Sequence, residues 1–299
     1  MIDLGKRKNE AYNIRPFTYL GTKRLETQDI WEIIKEKAEG KPFVDAFGGS
    51  ASVSSAFMPF VSSVHYNEKN KLIPAFLTKS IDYYRNGKFD WFWNEIMSMA
   101  PTDKESYFSL RDKFNSEGCK DPLRYYLLIS CCTSGLIRWN AKSGRFTQAY
   151  SGKKLSTPGY KKNLESFCKL WSDNYGKWEI TSEDFKDLEV KPEAFVYLDP
   201  PYSNAYNSYL PEKWDDKPLI EWIEKLPNNI AISGMQNNDD PLCSDCELLS
   251  HFIKKGWKLH VITDKAFSKV APSSKKGQTE NVRQKKDRSR THDVLLTNF

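Results

Sequence analysis

The chain has 299 residues, of which 39% are hydrophobic and 28% are charged, a balance that favours a packed globular fold over disorder. No uninterrupted apolar run is long enough to cross a bilayer, and the first ten residues are polar and lack signal-peptide character. We therefore expect a protein that stays inside the cell. The net charge of +6 favours an anionic partner.

A βαβ unit is predicted near the N-terminus. Residues 42–47 are a short apolar run with strand character, and a glycine-rich turn follows at 48–50. Small residues over 51–57 suit a helix packed closely on a sheet, and 61–66 form a second predicted strand. Such units have parallel strands, and ligands bind at the carboxyl ends of those strands.

Residues 72–174 differ in character from the segments on either side. Aromatic side chains are dense, helical periodicity is visible, and a polar, turn-rich stretch follows over 133–162. We interpret 72–174 as an inserted, mainly helical domain. It divides an α/β domain into two segments, 1–71 and 175–299.

Strand-like segments return after the insertion in three places: 178–181, 194–198 and 230–233. A polar loop is expected at 234–240. Residues 257–263 and 293–297 are predicted to close the sheet edge as a hairpin, and the segment between them, 269–290, is strongly basic.

The tetrapeptide Asp199-Pro200-Pro201-Tyr202 is the strongest chemical signal, because it directly follows an apolar strand. These residue types suit methylation of an exocyclic amine of a nucleic-acid base. Such an amine is a poor nucleophile, and a carboxylate that accepts a hydrogen bond from its N–H stabilises the positive charge that develops on the nitrogen as the methyl group arrives. The Pro200 carbonyl can accept the second N–H, and Tyr202 can stack on an extruded base. A proline-rich turn without function is the alternative.

Other residues at predicted strand ends suit a nucleoside cofactor. The glycines at 48–49 allow close backbone approach, and Asp45 can receive a positive amino group. Glu68 can hydrogen-bond ribose hydroxyls. Asp184 and Phe185, after the strand at 178–181, could bind and cover an adenine ring.

Cys243 and Cys246 form an isolated C-x-x-C. None of the four histidines has the spacing that would complete a zinc site, so we interpret the pair as reduced structural or surface thiols and expect no metal.

At these residues the chain resembles the Dam-like DNA adenine methyltransferases over most of its length. The segment 17–23 is similar to the family's aromatic-x-G-x-K element, which implies that Tyr19 and Lys23 help to hold the cofactor. Residues 45–50 are similar to its acidic-x-F-x-G loop, which adds Phe47 and Gly49 to the cofactor site. Ala51 replaces the family's usual later glycine.

The resemblance continues through the later motifs. Residues 67–70 are similar to the ribose-binding N-D-x-N segment, with Glu68 in place of Asp, and 199–202 match the catalytic tetrapeptide, which implies that Asp199 also contacts the cofactor. In the insertion, Ser134, Arg138 and Asn140 lie in a stretch similar to the family's N-G-L-x-R-x-N element and are candidate DNA contacts. Ser134 stands at the position where the family usually has Asn. We therefore do not predict GATC as the target sequence.

This resemblance implies a Rossmann-like methyltransferase sheet with an inserted DNA-recognition domain. The implied reaction transfers a methyl group from S-adenosylmethionine to adenine N6 in double-stranded DNA after base flipping, and leaves S-adenosylhomocysteine. A cytoplasmic enzyme of a bacterial cell or phage, acting as a monomer or as a dimer on DNA, is expected. Segment 269–290 is expected to contact DNA phosphates. The alternatives are an RNA adenine methyltransferase and a catalytically inactive DNA-binding module.

Overall fold

The computed structural model describes residues 14–135, 137–153, 155–202, 214–237, 240, 242–243, 246–265 and 291–299. Within these ranges the strands are β1 Pro42–Asp45, β2 Ser63–Asn67, β3 Trp178–Thr181, β4 Phe195–Leu198, β5 Asn229–Asn237, β6 Lys258–Lys265 and β7 Thr291–Thr297. The α-helices are α1 Thr27–Ala38, α2 Ser52–Phe57, α3 Leu72–Arg85, α4 Phe89–Ser98, α5 Lys104–Ser116, α6 Pro122–Cys131, α7 Pro158–Asp173, α8 Lys217–Ile223 and α9 Glu247–Lys254. The predicted basic segment 269–290 lies outside the described residues.

The described strands form one seven-stranded sheet in the order β3-β2-β1-β4-β5-β7-β6. Strands β1 to β5 are parallel to their neighbours, and β7 pairs antiparallel with both β5 and β6. The order reverses between β1 and β4, which is the position where open α/β sheets bind ligands. The predicted α/β, Rossmann-like fold is confirmed.

Two apolar layers cover the two faces of the sheet, because side chains alternate along each strand. Phe43, Phe195 and Tyr197 face one layer, whereas Val44 and Val196 face the other. The first layer is continuous with the aromatic side chains of the helices that connect β2 to β3. The second layer contains α8, α9 and the buried, disulfide-free pair Cys243 and Cys246. None of the helices in the described ranges is long and apolar enough to cross a membrane.

The connection from β2 to β3 contains α3 to α7, as the helical periodicity predicts. Helix α3 packs on α7, α6 and α4 and also contacts β3, and α7 reaches α2 on the sheet. Helices α5 and α6 pack against each other farther along the same aromatic layer. The first and last helices of the connection are therefore part of the cover of the sheet.

Several strand bounds differ from their prediction. β1 ends at Asp45 rather than at 47, and α2 begins at Ser52 because Ala51 adopts a left-handed conformation with φ +58°. β2 begins at Ser63, because residue 61 belongs to the turn that precedes it. β5 continues to Asn237, where a polar loop was predicted, because β7 pairs with its second half.

The predicted edge hairpin is confirmed, since β6 and β7 pair antiparallel along their length. β6 is the outermost strand, and β7 lies between it and β5. β7 is therefore an internal strand, which agrees with the burial of its residues 293–297.

The side chain of Asn67 ties together the ends of three strands. Its amide nitrogen donates to the carbonyl oxygens of Ala46 and Glu183, each at 3.1 Å. Its amide oxygen accepts from the Thr181 hydroxyl at 2.9 Å and from the Glu183 N–H at 2.8 Å. Asn67 is only 1% exposed, so water cannot replace these partners.

We expect Asn67→Ala to lower the free energy of unfolding by roughly 2–3 kcal/mol, because it leaves several buried backbone groups without partners. The control is Asn86→Ala, which removes an exposed amide that donates to the Asp82 carbonyl at 2.8 Å. That change should cost about 0.5 kcal/mol or less. Urea unfolding measures both values, and equal losses in the two variants would contradict this role of Asn67.

Candidate active site

Three acidic side chains meet at one edge of the sheet. Asp45 ends β1, Glu68 follows β2, and Asp199 follows β4. β1 is parallel to both β2 and β4, so their carboxyl ends meet at the same edge. The sheet thus brings together residues that are up to 154 positions apart in the sequence.

Lys23 lies against the Asp-Pro-Pro-Tyr tetrapeptide. Its ammonium group donates to both carboxylate oxygens of Asp199, at 2.8 and 2.9 Å, and to the Tyr202 hydroxyl at 2.8 Å. The Tyr202 hydroxyl in turn donates to Asp199 Oδ1 at 3.0 Å. Lys23 is 7% exposed and Asp199 is 17% exposed, so the ion pair is largely shielded from water.

The proton affinities of this group follow from burial and charge. Burial alone would lower the pKa of Lys23, but the charge and hydrogen bonds of Asp199, together with Tyr197 and Asp293, outweigh burial and raise that pKa above its ordinary value. Burial and the Asp199 charge together hold the pKa of Tyr202 well above its usual range. At neutral pH the site therefore contains an ammonium and a neutral phenol beside Asp199.

Asp45 is a buried carboxylate with one unused oxygen. Ser54, in α2, donates to its Oδ2 at 2.6 Å, whereas Oδ1 is buried and has no hydrogen-bond partner among the described residues. Burial, reinforced by the charges of Asp199 and Glu68, raises the pKa of Asp45 to about 7. A buried acceptor without a partner is costly unless a ligand satisfies it.

The glycine turn after β1 is closely packed by two tyrosine rings. A Cβ on Gly48 would lie 2.1 Å from the ring of Tyr66, and one on Gly49 would lie 3.0 Å from the ring of Tyr19. Gly49 has φ +50°, and its carbonyl accepts from the Tyr66 hydroxyl at 2.7 Å. The turn therefore requires both glycines, and the ring of Tyr19 lies beside it.

Glu68 organises the loops on either side of it. Its Oε2 accepts from the N–H of Gly49 at 3.1 Å, and its Oε1 accepts from the N–H of Asn70 at 2.8 Å. Burial raises the pKa of Glu68 despite these hydrogen bonds. Glu68 thus joins the glycine turn to the loop that follows β2.

An aromatic group borders the same edge. The ring of Phe47 lies 5.7 Å from Phe185 and 6.0 Å from Trp214. Asp184 caps the short 3₁₀ helix Phe185–Asp187 through the Lys186 N–H and pairs with the Lys69 ammonium at 2.7 Å. Phe185 is largely buried in this group, so the face that it offers to a ligand is limited.

The predicted DNA contacts lie in the helical insertion, on a small hairpin rather than at the sheet edge. Trp139 pairs with Phe146 in an isolated antiparallel β-bridge. Arg138 and Asn140 are the residues on either side of Trp139 in the sequence. Arg138 is exposed, while the side-chain oxygen of Asn140 accepts the N–H groups of Lys142 and Ser143 within the turn. The backbone of Ser134 lies in the 3₁₀ helix Thr133–Gly135.

Close backbone packing links this insertion to the N-terminal segment. A Cβ on Gly135, which has φ +67°, would lie 2.7 Å from the carbonyl oxygen of Thr18. Tyr19, the next residue, lies over Gly49. Segment 18–19 is therefore held between the insertion and the glycine turn.

Sequence reasoning left several participants out of its predicted site. These are residues that position the acidic side chains or line the edge: Ser54, Tyr66, Asn67, Asn70 and Trp214. Only Asn67 and Asn70 carried a signal, since both stand in the segment 67–70 that resembles the family's ribose-binding motif. The other contacts arise from tertiary packing.

The chain is similar to known type II methyltransferases. The chain is 31% identical over 154 residues to the type II methyltransferase M.MjaIII of Methanocaldococcus jannaschii, covering 46% of this chain and 52% of that protein. It is 20% identical to the type II methyltransferase M.FokI of Planomicrobium okeanokoites, covering 100% of this chain and 45% of M.FokI. The chain therefore spans about half the length of these relatives.

Among solved structures, Trm5b of Pyrococcus abyssi is similar at 13% identity with a TM-score of 0.38, over 92% of this chain and 48% of Trm5b. The fold assignment rests on the strand order rather than on this likeness. The family model of the D12 class N6 adenine-specific DNA methyltransferases matches residues 19–268, which include the glycine turn, the insertion and the Asp-Pro-Pro-Tyr tetrapeptide. The chain belongs to the D12 class N6 adenine-specific DNA methyltransferase family.

Proposed function

We propose that this chain transfers a methyl group from S-adenosylmethionine to N6 of an extruded adenine at a specific site in double-stranded DNA. The observation that carries the proposal is the position of the Asp199 carboxylate. It lies at the carboxyl end of the central strand β4, beside the sheet edge that holds Asp45 and Glu68. One copy of the chain contains all of these groups, so a monomer suffices, and we place the reaction in the cytoplasm, where DNA is available.

The residues at the sheet edge fit the cofactor. The unpartnered Oδ1 of Asp45 can accept from the ammonium group of the methionine moiety. Glu68 can accept from the ribose hydroxyls with lone pairs that its two backbone partners leave free. Phe47 and Phe185, with Asp184, border the place for the adenine ring, and the glycine turn permits close approach.

When bound, S-adenosylmethionine supplies an electrophilic methyl group on a sulfonium. Asp199 accepts an N–H of the target amine, which raises the electron density on N6 and stabilises the charge that develops there. The Pro200 carbonyl accepts the second N–H, since proline leaves this carbonyl free and holds the loop stiff. The Tyr202 ring stacks on the extruded base. No metal and no covalent intermediate are needed, and alignment of the reactants supplies much of the rate.

Lys23 holds Asp199 in place between catalytic events. Its ammonium and the Tyr202 hydroxyl provide three hydrogen bonds to the carboxylate. A carboxylate offers about four lone-pair positions, so the target amine must use the remaining one or displace Lys23. The excess of acidic groups over Lys23 favours a cationic cofactor at the same edge.

The insertion 72–174 is proposed to recognise the DNA sequence. Arg138 is exposed on the hairpin and suits a guanine edge or a phosphate. Asn140 keeps its amide NH₂ for a base, because its oxygen is bonded within the turn. Ser134 precedes the close contact at Gly135, and the basic segment 269–290 is proposed to contact phosphates.

The test combines the purified protein with labelled S-adenosylmethionine and unmethylated genomic DNA, and maps the methylated bases. We expect N6-methyladenine in one sequence context, and Asp199→Ala should lower the rate by about 10²–10³-fold or more. The control is Asp173→Ala, an exposed aspartate at the end of α7 and outside the proposed site. Label on RNA alone would reassign the substrate. Absence of cofactor binding would indicate a catalytically inactive DNA-binding module.

A pH dependence follows from Asp45. Because its pKa is about 7, the carboxylate that would bind the cofactor ammonium becomes protonated below that pH. Binding of S-adenosylhomocysteine should weaken by about tenfold per pH unit below pH 7, and Asp45→Asn should abolish this dependence. Calorimetric titration measures the affinity, and the exposed Asp173→Asn serves as the control. An acid limb that survives in Asp45→Asn would refute the assignment.

The same raised pKa affects stability without the cofactor. The folded protein binds the Asp45 proton more tightly than the unfolded chain does. The resulting stabilisation is fully present below the ordinary aspartate pKa and is lost as the pH rises through about 7.

The contact between Gly135 and Thr18 can be tested by substitution of Gly135. Gly135→Ala should destabilise the protein by at least about 1 kcal/mol more than Gly144→Ala, because only the first adds a backbone clash. Gly144 has φ +63° and open space around it, so it bears the same conformational cost without the clash. Gly135→Ala should also weaken S-adenosylhomocysteine binding by moving Tyr19. Equal unfolding energies for the two variants would exclude the contact.

A further inference from the structure

Tyr125, on α6, contacts two parts of the molecule that serve different ligands. Its hydroxyl accepts from the side-chain amide of Asn70 at 2.7 Å. Its ring lies 6.1 Å from Trp139, nearly parallel to it, and 6.2 Å from Phe146. Tyr125 is 1% exposed, so neither contact competes with water.

On the cofactor side, Asn70 depends on Glu68. The Asn70 N–H donates to Glu68 Oε1 at 2.8 Å, and the Asn70 side-chain oxygen accepts from the Leu72 N–H at 3.3 Å. The other oxygen of Glu68 accepts from Gly49. A ligand that forms hydrogen bonds with the Glu68 carboxylate therefore alters the hydrogen bond between Glu68 and the Asn70 N–H. This in turn changes the direction of the Asn70 side-chain amide.

On the DNA side, the hairpin depends on the surface behind it. Its two arms are joined by the bonds from Asn140 N–H to the Arg145 carbonyl at 2.8 Å and from Thr147 N–H to the Arg138 carbonyl at 2.9 Å, and the other bonds of the hairpin lie mainly within its turn. A single two-stranded hairpin is marginally stable in water. Its order therefore rests on packing against α5 and α6.

Two contacts supply that packing. Asn115, on α5, bonds both the N–H and the carbonyl of Phe146, at 2.8 and 3.0 Å. The rings of Trp139 and Phe146 pack on Tyr125 and Phe114. Of these supporting residues, Tyr125 is the one whose side chain is also bonded to the loop after β2.

We propose that Tyr125 is a positioning residue that couples occupancy of the cofactor site to the order of the hairpin 138–147, and thereby to DNA binding. The relay runs from Glu68 through Asn70 to the Tyr125 hydroxyl, and from the Tyr125 ring to Trp139. This inference rests on the proposed function, since it assigns the two ligands to the two ends of the relay. By thermodynamic linkage, DNA tightens cofactor binding by the same factor.

Tyr125→Phe isolates the coupling, because it keeps the ring and removes only the hydroxyl that Asn70 binds. Tyr126→Phe is the matched control. Tyr126 is the next residue of the same helix and is equally buried, and its hydroxyl faces Ser130 of that helix rather than the loop after β2. Hydrogen exchange of the hairpin amides, with and without S-adenosylhomocysteine, is the first readout.

In the wild-type chain and in Tyr126→Phe, S-adenosylhomocysteine should slow exchange of the Asn140 and Thr147 amides by on the order of fivefold. In Tyr125→Phe the ligand should leave this exchange unchanged. Asn70→Ala should also remove the effect of the ligand on exchange of the hairpin amides. The double variant Asn70→Ala/Tyr125→Phe should show no change in exchange beyond that of either single variant. Absence of protection in the wild-type chain, retained protection in Tyr125→Phe, or loss in both tyrosine variants would each overturn the inference.

DNA affinity separates this inference from the proposed function. S-adenosylhomocysteine should tighten DNA binding by about fivefold in the wild-type chain and by less than about twofold in Tyr125→Phe. If the chain methylates DNA but the cofactor does not change exchange of the hairpin amides, the proposed function stands and the proposed coupling is wrong. A hairpin that responds in a chain that methylates no DNA would keep the coupling and lose the proposed substrate.

Discussion

The side-chain amide of Asn67 is the interaction on which the geometry of the sheet edge depends. It bonds the loop after β1 and the loop after β3 from its own position at the end of β2. Parallel strands bring their carboxyl ends together, but they do not fix the loops that follow. Because one buried amide bonds both neighbouring loops, it fixes where the chain leaves β1 and where it leaves β3 relative to the end of β2.

Acidic side chains at this edge of the sheet outnumber Lys23, the cation that bonds to one of them. Three carboxylates lie on neighbouring strand ends, and Lys23 neutralises only Asp199 directly. The remaining negative charge is borne by Asp45 and Glu68, whose pKa values burial raises. A ligand with positive charge relieves this repulsion, whereas an anionic nucleotide such as a triphosphate would increase it. The charge balance at this edge therefore favours a cationic ligand over an anionic one.

Sequence patterns located the three acidic side chains because each stands in or just after an apolar run. Asp45 lies within the predicted strand 42–47, Glu68 and Asp199 follow theirs, and the parallel pairing of β1 with β2 followed from the βαβ rule. The pairing of Lys23 with Asp199 could not be predicted, since it joins residues 176 positions apart through loop conformation. The extension of β5 depended on its pairing with β7, which a polar sequence at 234–237 conceals.

The continuous aromatic layer has a consequence for protein engineering. Helices α3 and α7 belong to the same hydrophobic cluster as Phe43 and Phe195 of the sheet. A chimera that exchanges all of 72–174 with a relative would therefore remove part of the layer that covers the sheet and leave apolar surface exposed to solvent. Junctions placed after α3 and before α7 would keep that cover. Transplanted recognition segments should then be judged by how well an aromatic side chain of their own replaces Tyr126, whose ring stacks at 4.2 Å on Phe76 of the retained α3.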